Sequence, residues 1–67
     1  MNLIEGLQKE ANRRRDILPH YEAIGHAGDF GAIFLKSDIQ RAESAIAGGD
    51  VVEMLHVYKE LSEAEVK

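Results

Sequence analysis

Apolar residues recur along this chain at three- and four-residue steps rather than in alternation, a period that predicts helices and not strands. Leu3, Ile4, Leu7, Ala11 and Leu18 form the first stripe, with Glu5, Gln8, Lys9, Asn12 and Asp16 mostly on the other side. Asn2 can accept a bond from a free backbone N–H of the first turn, so a helix is expected from residue 2 to about residue 17. Pro19 interrupts it. Proline has no N–H for the Arg15 carbonyl and pushes Leu18 away from helical angles, so the helix kinks or ends there. Tyr21 and Ile24 resume the apolar spacing. A short second piece over 19–24 follows, with Pro19 in its first turn.

Gly25-His26-Ala27-Gly28 reads as a loop and Asp29 as the next N-cap. A second long helix is expected over about 30–47, with Ala32, Leu35, Ile39, Ala42 and Ile46 as its stripe. Gly48 and Gly49 supply the left-handed angles that commonly end a helix. Asp50-Val51-Val52-Glu53 resembles a capping box with Asp in the usual Ser or Thr place. The third helix then runs to about residue 62. Val51, Met54, Leu55, Tyr58 and Leu61 share one face, and Glu53, His56, Lys59, Glu60 and Glu63 the opposite one. Amphipathic helices on short connections must share a core. The tight turn at Gly48-Gly49 makes the last two antiparallel neighbours, and the first covers the remaining groove. The expected fold is therefore an all-α three-helix bundle, with a short extra helical turn or kink near Pro19, forming a single domain over 1–67.

One stretch departs from this pattern. Phe30, Ile33 and Phe34 project opposite to the Leu35/Ile39/Ile46 stripe, so the second helix begins with about two turns that are apolar all round. Two readings follow. The 19–28 segment folds over these rings and makes a satellite core, or the rings form an exposed patch for a partner or a second copy. On the second reading Phe30, Ile33 and Phe34 bind the partner, with Tyr21 and Ile24 beside them. Gly28 and Gly31 permit close backbone approach in either case.

Composition narrows the function classes. With 67 residues, chain entropy nearly cancels burial, so net stability is expected to be a few kcal/mol. There is no cysteine, hence no disulfide and no thiolate zinc site, in keeping with a reducing cytoplasm. The N-terminus lacks a basic region followed by an apolar core, so no secretory signal is expected. No apolar run approaches the ~20 residues of a membrane span. The formal net charge of -4 disfavours attraction to phosphate backbones or anionic lipid. A cytoplasmic protein is the default expectation.

The chemistry-bearing residues point nowhere specific. Arg13, Arg14 and Arg15 lie about 100° apart on a helix and do not make one patch. Arg14 falls near the apolar stripe, where its stem covers carbons and its head reaches water or a carboxylate. Glu10 and Asp16 neutralise part of the cluster. A helix-turn-helix reading fails on charge, because Glu53, Glu60 and Glu63 face outward on the third helix and repel phosphate. His20, His26 and His56 contain no i, i+4 pair, so no metal site is expected. There is no Ser/His/Asp or Cys/His arrangement. Carboxylates on solvent faces lack a reason for tuned acid–base chemistry. Neither an enzyme nor a cofactor is expected.

The stretches Leu18-Pro19-His20-Tyr21-Glu22, Phe30-Gly31-Ala32 and Ile46-Ala47-Gly48-Gly49-Asp50-Val51-Val52-Glu53-Met54 resemble small uncharacterised helical proteins of bacteriophages and prophages. The resemblance spans most of the chain, and its motifs are turns and caps. It implies an accessory role exerted by binding a host or phage protein, and it defines no site residue. The sequence thus leads to a protein–protein interaction module, with a self-associating homodimer as its rival and a small DNA-binding regulator as a third reading disfavoured by charge.

Overall fold

A computed structural model describes residues 2–64. The protein is all-α, with no strand among the described residues. Helix α1 spans Leu3–Ile24, a 3-10 turn covers Gly25–Gly28, α2 spans Asp29–Gly48 and α3 spans Val51–Glu63.

Local chemistry sets most of these bounds. The Asn2 side chain accepts from the Glu5 amide at 2.8 Å while the Glu5 carboxylate accepts from the Asn2 amide at 3.1 Å. This reciprocal box satisfies two N–H groups that a helix start leaves unpaired. Asp50 opens α3 by accepting from the amides of Val52 at 2.9 Å and Glu53 at 3.4 Å. Gly49 ends α2 at φ 73°, and its N–H donates to the Ala45 carbonyl at 3.3 Å.

Pro19 does not end the first helix. It sits inside α1, which continues to Ile24. Both Pro19 and Arg15 are exposed, so the carbonyl that loses its partner stays within reach of water. The separate piece expected over 19–24 is therefore part of α1, and the short extra turn falls at Gly25–Gly28 instead. Gly25, at φ 84°, makes the change of direction there. Asp29 is the first residue of α2 and not its N-cap; its carboxylate instead faces His26 Nδ1 at 3.1 Å.

The core is built from Leu7 and Ala11 of α1, Ile39, Ala42 and Ala45 of α2, and Met54, Val57 and Leu61 of α3. Leu7, Val57 and Leu61 are fully buried, each contributing about 1.5–3 kcal/mol of burial. Leu3, Ile46 and Tyr58 pack against this cluster. The expected face of α3 needs correction. Its buried line is Met54–Val57–Leu61, whereas Val51 and Leu55 are more than half exposed. Val57 is three residues from Met54 and four from Leu61 and so lies between them on the helix surface. Val51 and Leu55 lie off one edge of that line.

Ion pairs fix how the helices run. Arg15 pairs with Glu43, and Lys36 with Glu22 at 3.4 Å, across antiparallel α1 and α2. Arg41 pairs with Glu60 across antiparallel α2 and α3. Each helix packs on the other two, but their lengths differ. At about 1.5 Å per residue, α3 is about 20 Å long and α1 about 33 Å. The third helix covers only the end of the α1–α2 pair remote from the 3-10 turn. The radius of gyration is 12.3 Å, above the roughly 11 Å of a compact chain of this length.

Candidate protein-docking surface

Beyond the end of α3, α1 and α2 continue as a two-helix layer. Two glycines let them approach. A Cβ on Gly28 would collide with the Tyr21 carbonyl, and one on Gly31 would collide with the Tyr21 ring. The Tyr21 ring thus lies over the backbone of α2, and any larger residue at Gly31 would displace it.

The side chains on this layer are apolar and open. Phe30 is 78% exposed, Phe34 67%, Ile24 61% and Ile33 60%, with Ile17 and Tyr21 at 42% and 38%. All five candidate docking residues from the sequence are therefore at the surface. The satellite core is not formed, because the 19–28 segment that was expected to fold over the rings is used to extend α1 alongside α2 and to turn the chain. Arg13, Arg14, Ile17, Tyr21, Leu35, Asp38 and Ala64 line an open groove of about 440 Å³ that runs on from the end of α3. Ile24 is three residues from Tyr21 and Phe34 is four from Asp38, so both flank this groove by helical spacing. Phe30 lies one turn farther along from Phe34, and Ile33, three residues from Phe30, lies at the outer edge of that face, farthest from the groove.

At the inner end of the groove lies a polar network. Arg14 does not snorkel to water; it is only 5% exposed, and Glu10 only 6%. Arg14 Nη1 donates to Glu10 Oε1 at 2.8 Å and to the Glu10 carbonyl at 3.1 Å. Its Nε donates to Asp38 Oδ2 at 3.2 Å, and its Nη2 to the Leu61 carbonyl at 2.9 Å. One guanidinium therefore joins α1, α2 and α3. Burial pulls the Arg14 pKa down, but hydrogen bonds to Glu10 and Asp38 outweigh it and leave the group above its ordinary value. Leu61 is in the last turn of α3, where carbonyls lack helical partners. Arg14 thus supplies the cation that α3 lacks in its own last turn, where positive charge is favourable.

The sequence points to a carboxylate for the Arg14 head and to Glu10 as a neutralising neighbour, but not to Asp38, to the Leu61 carbonyl or to the burial of the pair. The available signal was that Leu7, Glu10, Ala11 and Arg14 share one stripe, so that an i, i+4 pair of opposite charge interrupts an apolar face. Asp38 likewise neighbours Leu35, Ile39 and Ala42 on the facing helix.

The histidines are exposed. His26 faces Asp29, and His56 Nε2 faces Glu60 at 3.3 Å. Among the described residues, no three His, Cys, Asp or Glu side chains are grouped to hold a metal ion. None of their helices is long and apolar enough to cross a membrane. The Glu60 carboxyl is held below the ordinary carboxylate range, first by its hydrogen bond from Arg41 and further by the charges of Arg41 and His56. No family model, curated protein or solved structure matches this chain.

Proposed function

We propose that this chain is a small three-helix bundle that acts as a protein–protein interaction module and not as an enzyme. The exposure of Phe30 and Phe34 carries the reading. Large rings left in water cost a short chain burial that it can ill spare. Rings on one uncovered layer, beside an open groove, match the apolar anchors that dominate protein interfaces. The partner contacts Phe30, Phe34, Tyr21 and Ile24, with Ile33 at the rim. A bacteriophage or prophage accessory protein working in the cytoplasm is the setting we propose, on the turn and cap motifs described above.

The acidic outer face of α3, with Glu53, Glu60 and Glu63, argues against the DNA-binding reading. Binding to DNA would show as steep salt dependence. The test of the docking surface is photo-crosslinking in cells, with benzoylphenylalanine in place of Phe30 or, as a control, Lys59. A discrete protein adduct at Phe30 and none at Lys59 is expected. Phe34→Asp should remove that adduct while helical circular dichroism persists. Loss of folding in Phe34→Asp would show that the ring belongs to the core and would end the proposal.

A further inference from the structure

We infer that the occupant of this docking surface is a second copy of the same chain, giving a two-fold dimer in which the α1–α2 layers pack face to face. The inference rests on the docking-surface reading and names its partner. Its starting point is area. Ile17, Tyr21, Ile24, Phe30 and Phe34, at the exposures given above, leave roughly 500 Å² of apolar side chain uncovered, taking about 200 Å² for an aromatic residue and somewhat less for isoleucine. That is near the upper end of the largest patch on an ordinary monomer, about 300–600 Å². Two such faces bury roughly 1,000 Å² from these side chains alone, the size at which a specific interface becomes sustainable before any polar rim is added.

Geometry agrees with area. A stable architecture needs a second layer over each apolar helix face. At one end of the molecule α3 is that layer. At the other end no helix among the described residues fills the place, and the groove opens directly from the end of α3 at Ala64. A two-helix layer is self-complementary in the sense a two-fold axis requires, since the same patch serves both copies. Two such layers together make a four-helix packing of the usual antiparallel kind.

Charge does not oppose it. The net charge is -4, yet the carboxylates near the tip are turned away from the groove or held. Glu22 pairs with Lys36, Asp29 faces His26, and the Asp38 carboxylate that lines the groove is bound by Arg14. Two copies therefore meet on rings and aliphatic groups, with the half-exposed Arg13, 3.9 Å from Glu10, at the groove wall.

The other exposed apolar group, Val51, Val52, Leu55 and Ile4, has no aromatic residue and lies at the opposite end. It gives a control. Sedimentation velocity and light scattering from about 5 µM to about 1 mM should show a dimer whose melting temperature rises with concentration. Phe34→Asp should be a helical monomer with a concentration-independent melt, whereas Val52→Asp should dimerise like the parent. In a dimer mixed from isotope-labelled and unlabelled chains, filtered NOEs should connect the Phe30 and Phe34 rings of one copy to Ile17, Tyr21 or Ile24 of the other. This readout needs no variant. A parent that stays monomeric over the whole range overturns the inference, as does a dimer that survives Phe34→Asp or gives its NOEs from Val52 and Leu55. The crosslink separates the two levels of the argument. An adduct of a mass other than twice the chain discards the second copy and keeps the docking surface, whereas no adduct discards both.

Discussion

Replacing Arg14 with methionine should be among the most damaging single changes in this protein. The stem volume is nearly kept, so the loss isolates the guanidinium. Its removal takes the closest cation from two carboxylates, Glu10 keeping Arg13 at 3.9 Å, and takes the guanidinium donor from the Leu61 carbonyl. Breaking a buried pair by removing one partner costs about 3–5 kcal/mol, because an uncompensated charge remains inside. The Asp38 side chain is 27% exposed, against 8% for Glu10, so water relieves Asp38 and the lower end applies, about 3 kcal/mol. For a domain of this size each kcal/mol moves the midpoint by about 4–8 °C, so the melt should fall by roughly 12–24 °C. Total stability at this length is about 3–10 kcal/mol, so the change should remove roughly a third of it or more. The assay is thermal and urea unfolding by circular dichroism, with Arg13→Met as control. The Arg13 side chain is half exposed, and its change should stay within about 0.5 kcal/mol. Converting all three charges together, with Arg14→Met, Glu10→Met and Asp38→Leu, should restore most of the loss, since apolar replacement of a whole buried ion network is often neutral or stabilising. An Arg14→Met protein melting within about 2 °C of the parent would refute the reasoning, because a nearly buried guanidinium that joins three helices cannot be removed at so little cost.

Three further outcomes follow from particular contacts. Gly28→Ala places a methyl against the Tyr21 carbonyl and should destabilise by about 1–3 kcal/mol, whereas Gly48→Ala, in open space at an ordinary helical angle, should stabilise by about 0.5–1 kcal/mol; chemical denaturation of both compares the signs. Leu61→Ala should cost about 2–5 kcal/mol by opening the core, while Leu55→Ala, more than half exposed, should cost a small fraction of that, a contrast that tests the corrected face of α3. Glu60 titrates below its ordinary value, so its pairing with Arg41 adds stability that is present above the ordinary glutamate pKa of about 4.3 and is lost as pH falls through the lowered folded value. The melting gap between the parent and Glu60→Gln should accordingly close on acidification, and a gap that widens toward acid would contradict the assignment.

Much of the secondary structure was legible in local signals. Asn2 and Asp50 each satisfy free amides within three residues, and Gly49 needs only a left-handed angle. These are short-range effects that a sequence states directly. Pro19 was misjudged because the cost of a lost helical bond depends on whether the orphaned carbonyl is buried or wet, and that is decided by packing against α2. For Arg14 the pattern leaves water and a carboxylate both open, and the structure selects the carboxylates. Periodicity places it on the inner face, but whether it reaches water depends on Asp38 and Leu61, 24 and 47 residues away. The exposure of Phe30 and Phe34 was equally undecidable from pattern alone. Apolar periodicity shows that a face is fit for burial and says nothing about whether this chain has a helix left to cover it.

The buried network also bears on why the uncovered face is where it is. The contact between α3 and the other two helices is made largely by Met54, Val57 and Leu61, side chains of similar size and no directional chemistry. A purely apolar seam of that kind would tolerate a slide of one helical turn, about 5.4 Å. In either direction such a slide would take the Leu61 carbonyl out of reach of Arg14 and Glu60 out of reach of Arg41. The two polar contacts admit one register only, which is the best-attested use of a buried ion network. They stop α3 at the level of Arg14. Past that level no third helix of the described residues lies over α1 and α2, and the Tyr21 and Phe34 rings stay exposed.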